Sequence, residues 1–325
     1  MKRLMLLLFA ICLSLGCGGG GRFGEPTEGL GEDFAISPDD RHIAYTTVQN
    51  GVSSLYIANV DGTGVTRLSQ SDKASYLQPR FSSDGSKILF VSMPVKSKLH
   101  VSTLQEIHAD GSGLKLLSGG DTLITEALYA RDDKTIYYVQ SQRFEEKASY
   151  RPVDLDLYSM EATGANRQRI TKLAHDTMEH LSLSDDGTSL LYQTIDPTSY
   201  ETRFRVLSLN KKLDMISFLP PHDPDQQLQD PSWLPGPATG ILYSADVQQK
   251  QGDVPAFELF TMDLPSKTVR QITRLDNASL KPIALHHSPA VLFLKNKDKS
   301  RQKNQYVLMQ VQLDGSGAKE IPLQP

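Results

Sequence analysis

The fold is decided by residues 34–69, which read FAISPDDRHIAYTTVQNGVSSLYIANVDGTGVTRLS. Four short apolar runs are separated here by two turn sequences and one loop. Pro38 presets φ for the first turn and the aspartates after it cap the turn, while Asp61-Gly62 supplies the positive φ of a two-residue hairpin connection. The stretch therefore predicts four antiparallel strands, which we call A to D in chain order.

The same unit recurs along the chain. Copies of strand A pass through Ile36, Phe81, Tyr129, Leu183, Trp233 and Ala284. An aromatic residue of strand B follows nine or ten residues later in each copy, at Tyr45, Phe90, Tyr138, Tyr192, Tyr243 and Phe293. Repeats of roughly 40 to 55 residues with four strands each are typical of propeller blades. We predict a six-bladed β-propeller with blades at 33–70, 78–119, 126–172, 180–219, 230–274 and 281–323.

Strand sequences and composition favour an all-β fold. The triplet ending in each strand B aromatic is apolar or small, as in IAY at 43–45 and ILF at 88–90. A strand with one solvent-exposed face would instead alternate apolar and polar residues. Closed all-β folds of this length often form one domain, so we assign 33–325 to one propeller. The formal net charge of −4 argues against a nucleic-acid partner, which would require a basic surface.

The first sixteen residues predict a signal peptide. Lys2 and Arg3 form a positively charged start, and Leu4–Leu15 form an apolar run too short to span a bilayer as a stable helix. Residues 1–16 are therefore expected to direct export and to be removed. They are not expected to belong to the fold.

Gly16-Cys17, followed by four glycines, resembles the end of a bacterial lipobox. The resemblance implies that Cys17 receives a diacylglycerol and becomes the mature N-terminus, and Gly18 favours the outer membrane. The alternative is an ordinary secretory signal with an incidental cysteine. Cys12 is the only other cysteine, so the mature chain is expected to hold no disulfide. Residues 17–32 lack apolar periodicity and predict a flexible tether.

The repeat begins with strand A and ends with strand D. Closure of the propeller is therefore expected to depend on packing of the first blade against the sixth, without a shared sheet. Residues 22–31 are then expected to be dispensable for stability, although the tether could still add a strand.

Three turns share a pattern with a known repeat. They read SPDD at 37–40, SSDG at 82–85 and SDDG at 184–187, each followed by an apolar triplet. They resemble the S-P-D-G of the Pro-Asp propeller repeat, found in the TolB C-terminal domain and in prolyl-oligopeptidase-type enzymes. The repeat endings RQRIT and VRQIT are similar to its ending as well. The resemblance implies the fold strongly and the function weakly, because this scaffold supports many activities.

Strand order predicts which face of the propeller is functional. The A–B and C–D turns are tight, whereas the B–C and D–A connections on the other face are long, as in Gln140–Asp156, Ala245–Ala256 and Leu219–Pro231. Irregular loops on a rigid scaffold are where binding usually occurs. We therefore predict that the B–C/D–A face binds the ligand or partner.

A polar residue lies three positions before each strand A marker. These six residues, which we call the mouth ring, are Asp33, Gln78, Glu126, His180, Asp230 and Lys281. Each enters strand A beside the central channel, so we predict that they surround the channel mouth and bind a partner. The alternative is that loop-to-strand junctions are polar because they are exposed. A ring of mixed charge suits a polar peptide or ordered solvent rather than an apolar ligand.

Motifs for catalysis are scarce. The sequence has no G-x-S-x-G nucleophile elbow, the propeller has no cysteine, and Ser112 and Ser316 lie in Asp-Gly hairpin turns. His175, His180 and His222 on D–A loops are a candidate metal set. The alternative is that they are solvated histidines, since they lack the fixed spacing of a ligand motif. We predict no catalytic residue, no metal and no cofactor.

Three classes of function remain. The favoured prediction is a non-catalytic, monomeric lipoprotein on the periplasmic side of the outer membrane, whose propeller face binds an envelope protein or peptide, as the TolB resemblance implies. The second is a metal-assisted polysaccharide lyase or hydrolase, since oligogalacturonate lyases resemble this repeat and place histidines around the channel. The third is a structural role in an envelope assembly without a discrete ligand.

Overall fold

The structure is a computed structural model that describes residues 28–95, 101–145, 151–196, 198–199, 201–210, 213–222, 226–247, 256–298 and 305–323. The predicted signal peptide at 1–16 and the predicted lipidation site Cys17 lie outside the described residues. All regular elements in the described part of the chain are β-strands. None of the described residues form an apolar helix of membrane-spanning length.

The strands follow one another in chain order. The first twelve are β1 Gly29–Ile36, β2 His42–Gln49, β3 Val52–Asn59, β4 Thr66–Ser69, β5 Ala74–Phe81, β6 Lys87–Pro94, β7 Thr103–His108, β8 Lys115–Leu116, β9 Leu123–Tyr129, β10 Thr135–Glu145, β11 Arg151–Glu161 and β12 Gln168–Arg169. The others are β13 Glu179–Leu183, β14 Ser189–Ile195, β15 Thr202–Ser208, β16 Met215–Phe218, β17 Leu228–Trp233, β18 Gly240–Val247, β19 Ala256–Asp263, β20 Val269–Gln271, β21 Ser279–Ala284, β22 Ala290–Asn296, β23 Tyr306–Gln312 and β24 Lys319–Ile321.

These strands form an all-β propeller of four-stranded antiparallel units. Four units are separate sheets, β5–β8, β9–β12, β13–β16 and β17–β20, and we call them blades 2 to 5. The remaining strands form one eight-stranded sheet, whose parts β1–β4 and β21–β24 we call the first half and the last half. In each unit the first strand of the unit is innermost.

The predicted count of six separate blades is corrected by this sheet order. Leu30 of β1 pairs with Tyr306 of β23, which joins the first half to the last half. Strand β1 begins at Gly29, inside the segment predicted as a tether. Leu30 also pairs with Thr47 of β2 and packs on the core between the two halves, so an apolar contact and two strand pairings hold this segment in the sheet.

The strand markers read from the sequence coincide with the observed strands. Each strand A marker is the last residue of an innermost strand. The strand B aromatics are at most 1% exposed. Strand B continues beyond its aromatic, however, and the predicted loop Gln140–Asp156 is largely a ladder in which Gln140 pairs with Asp156 and Glu145 with Arg151. The buried side chains of Val153 and Leu155 explain why pairing continues.

The repeated turn residues have a direct structural role. The Ser37 hydroxyl donates to Asp39 Oδ1 at 2.6 Å, and the same oxygen accepts the Arg41 N–H at 3.1 Å. In the next unit, hydrogen bonds from Ser82 and Ser86 lower the pKa of Asp84 to about 2. These bonds hold the A–B turn in one conformation through local contacts, which is why the turn is recognisable from sequence.

In blades 2, 3 and 5 a hydroxyl residue after the short fourth strand accepts a backbone N–H of the third strand. Thr171 Oγ1 accepts the Leu157 N–H at 3.0 Å, and Thr273 Oγ1 accepts the Leu259 N–H at 2.8 Å. The hydroxyl therefore satisfies a buried backbone donor of the third strand where the short fourth strand ends. This contact explains the I-T ending shared by RQRIT and VRQIT.

We expect the start of β1 to be needed for stability, contrary to the expectation that residues 22–31 are dispensable. Removing residues 1–31 deletes the pairings of Leu30 and its apolar contact, and should lower the free energy of unfolding by roughly 2 kcal/mol relative to removal of residues 1–27. Urea denaturation of the two truncated chains measures this difference. Equal midpoints for both chains would show that the Leu30 pairings contribute nothing to closure.

Candidate functional site at the channel mouth

The innermost strands surround a cavity of about 210 Å³. Five of the six mouth-ring residues line it, namely Asp33, Gln78, His180, Asp230 and Lys281. Glu126, the sixth, is buried beside them and bonds to the backbone of His180. The structure therefore places the mouth ring together at one end of the channel, whereas its role in binding stays a prediction.

Carboxylates of the mouth ring accept backbone N–H groups from the next sheet. The bonds are Gln78 N to Asp33 Oδ2 at 3.2 Å, His180 N to Glu126 Oε1 at 2.8 Å, and Lys281 N to Asp230 Oδ2 at 2.9 Å. Glu126 also accepts the Leu181 N–H at 2.8 Å. Each carboxylate therefore joins two neighbouring sheets through charge-assisted hydrogen bonds.

Contacts between side chains bridge the three remaining junctions. The pairs are Arg80 Nη2 and Glu126 Oε2 at 3.9 Å, His180 Nε2 and Asp230 Oδ1 at 3.0 Å, and Lys281 Nζ and Asp33 Oδ1 at 3.3 Å. The last pair joins the last half to the first half of the eight-stranded sheet. Polar contacts thus pass from sheet to sheet around the whole channel, so the mouth ring holds the propeller together as well as lining its opening.

A bulge in the innermost strand orients the backbone N–H groups that the mouth-ring carboxylates accept. Pairing with the second strand shifts register at the mouth ring, for example between Leu77 and Arg80. Four mouth-ring residues there have positive φ: Gln78 53°, His180 57°, Asp230 57° and Lys281 50°. The bulged residue is unpaired within its own sheet, so its N–H is available to the neighbouring sheet. In three units a proline follows, Pro79, Pro231 and Pro282, and proline cannot donate to the ladder.

The charges of the mouth ring stabilise one another. Although burial disfavours an imidazolium, the Asp230 carboxylate raises the pKa of His180 above its ordinary value. Burial likewise opposes ionisation of Asp230, yet His180 and Lys281 hold the pKa of Asp230 below its ordinary value. For Lys281, the nearby carboxylates of Asp33 and Glu32 outweigh burial and raise its pKa. These ion pairs therefore favour the charged forms, although burial opposes them.

Two further carboxylates at the mouth were missed from the sequence. Glu32 and Glu179 directly precede the mouth-ring residues Asp33 and His180. Burial raises the pKa of Glu179 to about 7, and its Oε2 accepts a hydrogen bond from Gln193 Nε2 at 3.1 Å. Burial also raises the pKa of Glu32. The sequence indicated only that a carboxylate directly precedes two of the mouth-ring residues, whereas the structure shows that both glutamates are half-buried.

We expect the substitution Glu179→Gln to remove one pH dependence of stability. Folding raises the pKa of Glu179 from its ordinary value to about 7. The folded state therefore disfavours its ionised form, and stability contributed by the protonated form is lost as pH rises towards about 7. The variant should gain stability relative to wild type between about pH 5 and about pH 8. Urea denaturation at both pH values measures this, with the exposed Glu201→Gln as control. A variant-to-wild-type difference that is independent of pH contradicts the argument.

The opposite end of the channel is lined by a second polar cluster. Arg131 Nη2 donates to Asp185 Oδ1 at 2.7 Å, and the Gly236 N–H donates to Asp185 Oδ2 at 2.6 Å. His286 Nδ1 lies 3.9 Å from Asp185 Oδ1, and burial lowers the pKa of His286. Since these groups join the last half and blades 3 to 5, this cluster reinforces the scaffold at the A–B end.

Trp233, the sole tryptophan of the chain, forms part of the channel wall. It is 8% exposed and packs in the core between blades 4 and 5. Its Nε1 is buried and has no hydrogen-bond partner among the described residues. A buried donor without an acceptor is unfavourable, so this position lowers the stability of the fold.

The three candidate metal ligands do not form a site. Of these histidines only His180 lines the channel, where it pairs with Asp230. Burial lowers the pKa of His175 to about 4, and its backbone pairs with Leu155; His222 Nδ1 contacts the Pro220 carbonyl at 2.7 Å. The described residues contain no group of three or more His, Cys, Asp or Glu placed to hold a metal. The convergence on one metal that the lyase alternative would require is therefore not found among the described residues.

The fold and the two polar clusters define a β-propeller whose central channel is lined by polar groups at both ends. No protein-family model matches the chain, and no curated protein matches its sequence. Among solved structures, TolB from Acinetobacter baumannii is similar with a TM-score of 0.64 and 13% identity, covering 88% of this chain and 64% of that protein. This chain therefore spans less than two thirds of TolB.

Two other similar structures belong to proteins of different kinds. A nidogen/laminin complex has a TM-score of 0.52 and 14% identity, over 74% of this chain and 78% of that chain. An oligogalacturonate lyase in complex with manganese has a TM-score of 0.56 and 13% identity, over 93% of this chain and 78% of that chain. At these identities the comparisons show the shared propeller fold alone.

Proposed function

We propose that this protein is a non-catalytic binding protein of the cell envelope, which recognises a protein or peptide partner at the channel mouth on the B–C/D–A face. The observation that carries the proposal is the mouth ring, a circle of buried and half-buried charges around an open cavity. A concave site with a few convergent polar groups is the usual place for a ligand. The likeness to TolB, noted first in the turn sequences and then in the fold, supports an envelope role.

The alternative as a metal-assisted lyase has less support. Its observation is the likeness to an oligogalacturonate lyase in complex with manganese. Of the candidate histidines only His180 lines the channel, and there it is engaged with Asp230 at 3.0 Å. We therefore favour binding without catalysis, and a structural role without a discrete ligand remains the outcome if no partner contacts the mouth.

The proposal extends to the chain outside the described residues. Residues 1–16 act as a signal peptide, and Cys17 carries a lipid that anchors the propeller at the periplasmic side of the outer membrane. The propeller acts as a monomer. Metabolic labelling with a radioactive fatty acid tests the anchor, since Cys17→Ser should abolish incorporation.

Site-specific photocrosslinking tests the binding face. A photoreactive amino acid replaces Asp72, which is exposed in the D–A loop between β4 and β5, or Lys134, which is exposed in the A–B turn between β9 and β10. We expect irradiation of cells to give a discrete crosslinked product at Asp72 and none at Lys134. The same product at both positions, or only at Lys134, would contradict the assigned face.

A further inference from the structure

We propose that the outer edge of blade 4 is a second interaction surface, which binds an extended segment of a partner protein by strand pairing. The segment carries an acidic residue between two apolar residues. This inference goes beyond the proposed function, because β16 is the fourth strand of its sheet and lies away from the channel. It is carried by the exposed side chains of β16, by the direction of its backbone groups and by an arginine beside it.

The sequence of β16 distinguishes it from the other outer strands. It reads MISF at 215–218 and contains no charged residue. Met215 is 36% exposed and Ile216 is 63% exposed. The outer strands β4, β8, β12, β20 and β24 each contain a lysine or arginine, at Arg67, Lys115, Arg169, Arg270 and Lys319. Strand β8 also exposes Leu116, but it consists of two residues only. Charged residues usually protect a strand edge from pairing with another chain, and β16 lacks this protection.

The backbone of β16 offers hydrogen-bonding groups along its outer side. β16 pairs with β15 in a regular antiparallel ladder, and directly before it the Ser208 N–H donates to the Asp214 carbonyl at 2.9 Å. Hydrogen-bonded pairs recur at every second residue of such a ladder, so the N–H and C=O groups of Met215 and Ser217 point away from β15. An extended polypeptide is therefore the occupant whose own backbone matches this edge.

One face of the β16 edge is apolar and incompletely covered. Ile216 and Phe218 share this face, because successive side chains of a strand alternate. Their partners in β15 are Val206 and Phe204. Phe218 packs edge-on to Phe204 with ring centroids 6.2 Å apart, whereas Ile216 is exposed. An added strand would place two residues, spaced two positions apart, beside Ile216 and Phe218, and apolar residues there extend this face through cross-strand contacts.

The other face of this edge carries a cation without an acidic partner. Ser217 lies opposite Arg205 of β15. Arg205 Nε donates to Thr194 Oγ1 at 2.8 Å, and its Nη1 lies 4.0 Å from Met215 Sδ. Among the described residues, Arg205 forms no ion pair with a carboxylate. The residue of an added strand beside Ser217 would lie about 10 Å from Arg205 across the sheet, a distance that glutamate and arginine side chains span together. An acidic residue between the two apolar ones therefore matches this face in charge.

Peptide selection on the purified full chain tests this inference. A random dodecapeptide library displayed on phage is selected on wild type and on the variant Ser217→Pro. Proline removes the outward N–H of this residue but no hydrogen bond to β15, and proline is tolerated on edge strands. The matched control Ser217→Ala retains the N–H. The variant Arg205→Gln removes the charge alone, and thermal denaturation establishes that each variant is folded.

We expect selected peptides that bind wild type and Ser217→Ala equally and bind Ser217→Pro at least about tenfold more weakly. These peptides should share an acidic residue between two apolar residues, and Arg205→Gln should weaken their binding about threefold. The inference is overturned if no selected peptide distinguishes Ser217→Ala from Ser217→Pro, or if those that do share no acidic residue. It is also overturned if sedimentation shows a wild-type dimer that Ser217→Pro dissociates, because the occupant is then a second copy of this chain.

Discussion

Replacing Asp156 with alanine is expected to lower the free energy of unfolding by roughly 3–5 kcal/mol, because several hydrogen bonds lose their shared buried acceptor. Asp156 lies in β11 and is fully buried. Its Oδ1 accepts the Leu173 N–H at 2.6 Å and the Thr171 hydroxyl at 2.9 Å. Its Oδ2 lies 2.6 Å from Arg169 Nη2. Alanine would leave buried donors without an acceptor.

Urea denaturation of the Asp156→Ala variant measures this loss. The control is Asp154→Asn, since Asp154 forms an exposed ion pair with Arg143 at 2.9 Å, a kind of contact worth at most about 1 kcal/mol. Glu258 is the equivalent residue of blade 5, since it too precedes a leucine in the third strand of its unit. It accepts the Leu275 and Asp276 N–H groups at 2.6 and 2.7 Å, so the variant Glu258→Ala offers a second comparison. An Asp156→Ala midpoint close to that of the control would refute the role assigned to this carboxylate.

Gly164→Ala is expected to cost roughly 2–4 kcal/mol of unfolding free energy, the sum of backbone strain and overpacking. Gly164 has φ +90°, and a Cβ there would overlap the carbonyl oxygen of Leu117 in blade 2. A Cβ on Gly315 would likewise lie only 2.5 Å from the carbonyl oxygen of Ile272. The C–D turn of one unit thus packs against the preceding unit at a distance that only glycine permits.

Gly51→Ala isolates the effect of this close approach. Gly51 also has positive φ, +74°, but nothing lies within 4 Å of the position that a Cβ would occupy there, so alanine adds only backbone strain of about 1 kcal/mol. Thermal or urea denaturation of both variants gives the difference. Equal losses at the two glycines would show that the contact between blades 2 and 3 is not tight at this turn.

Much of the fold can be predicted from local sequence. The turns at Asp39 and Asp84 are held by hydrogen bonds to residues two positions away. A few neighbouring residues therefore determine the conformation of each turn. The strand B aromatics are buried because both sides of each sheet are covered, which the apolar triplets indicate directly. For the same reason strand A could be located at Phe81 and Trp233 without knowing which sheets lie beside it.

The candidate site could be predicted only in part. The spacing from the strand A markers located the mouth ring, including Asp33, Asp230 and Lys281. It did not show that Asp230 accepts the Lys281 N–H or that Lys281 reaches Asp33, since these contacts join residues 51 and 248 positions apart. His175, His180 and His222 all come from D–A loops, yet of these three only His180 lines the channel.

By itself the sequence determined the repeat, the tight A–B turns, the all-β class and the position of the mouth ring. These properties depend on periodicity and on contacts between near neighbours in the chain. Only the tertiary structure decided that Leu30 joins the two halves of the eight-stranded sheet and that Glu179 lies half-buried beside the mouth ring. Pairing across the closure and desolvation both depend on which sheets lie side by side, and that arrangement exists only once the propeller has closed.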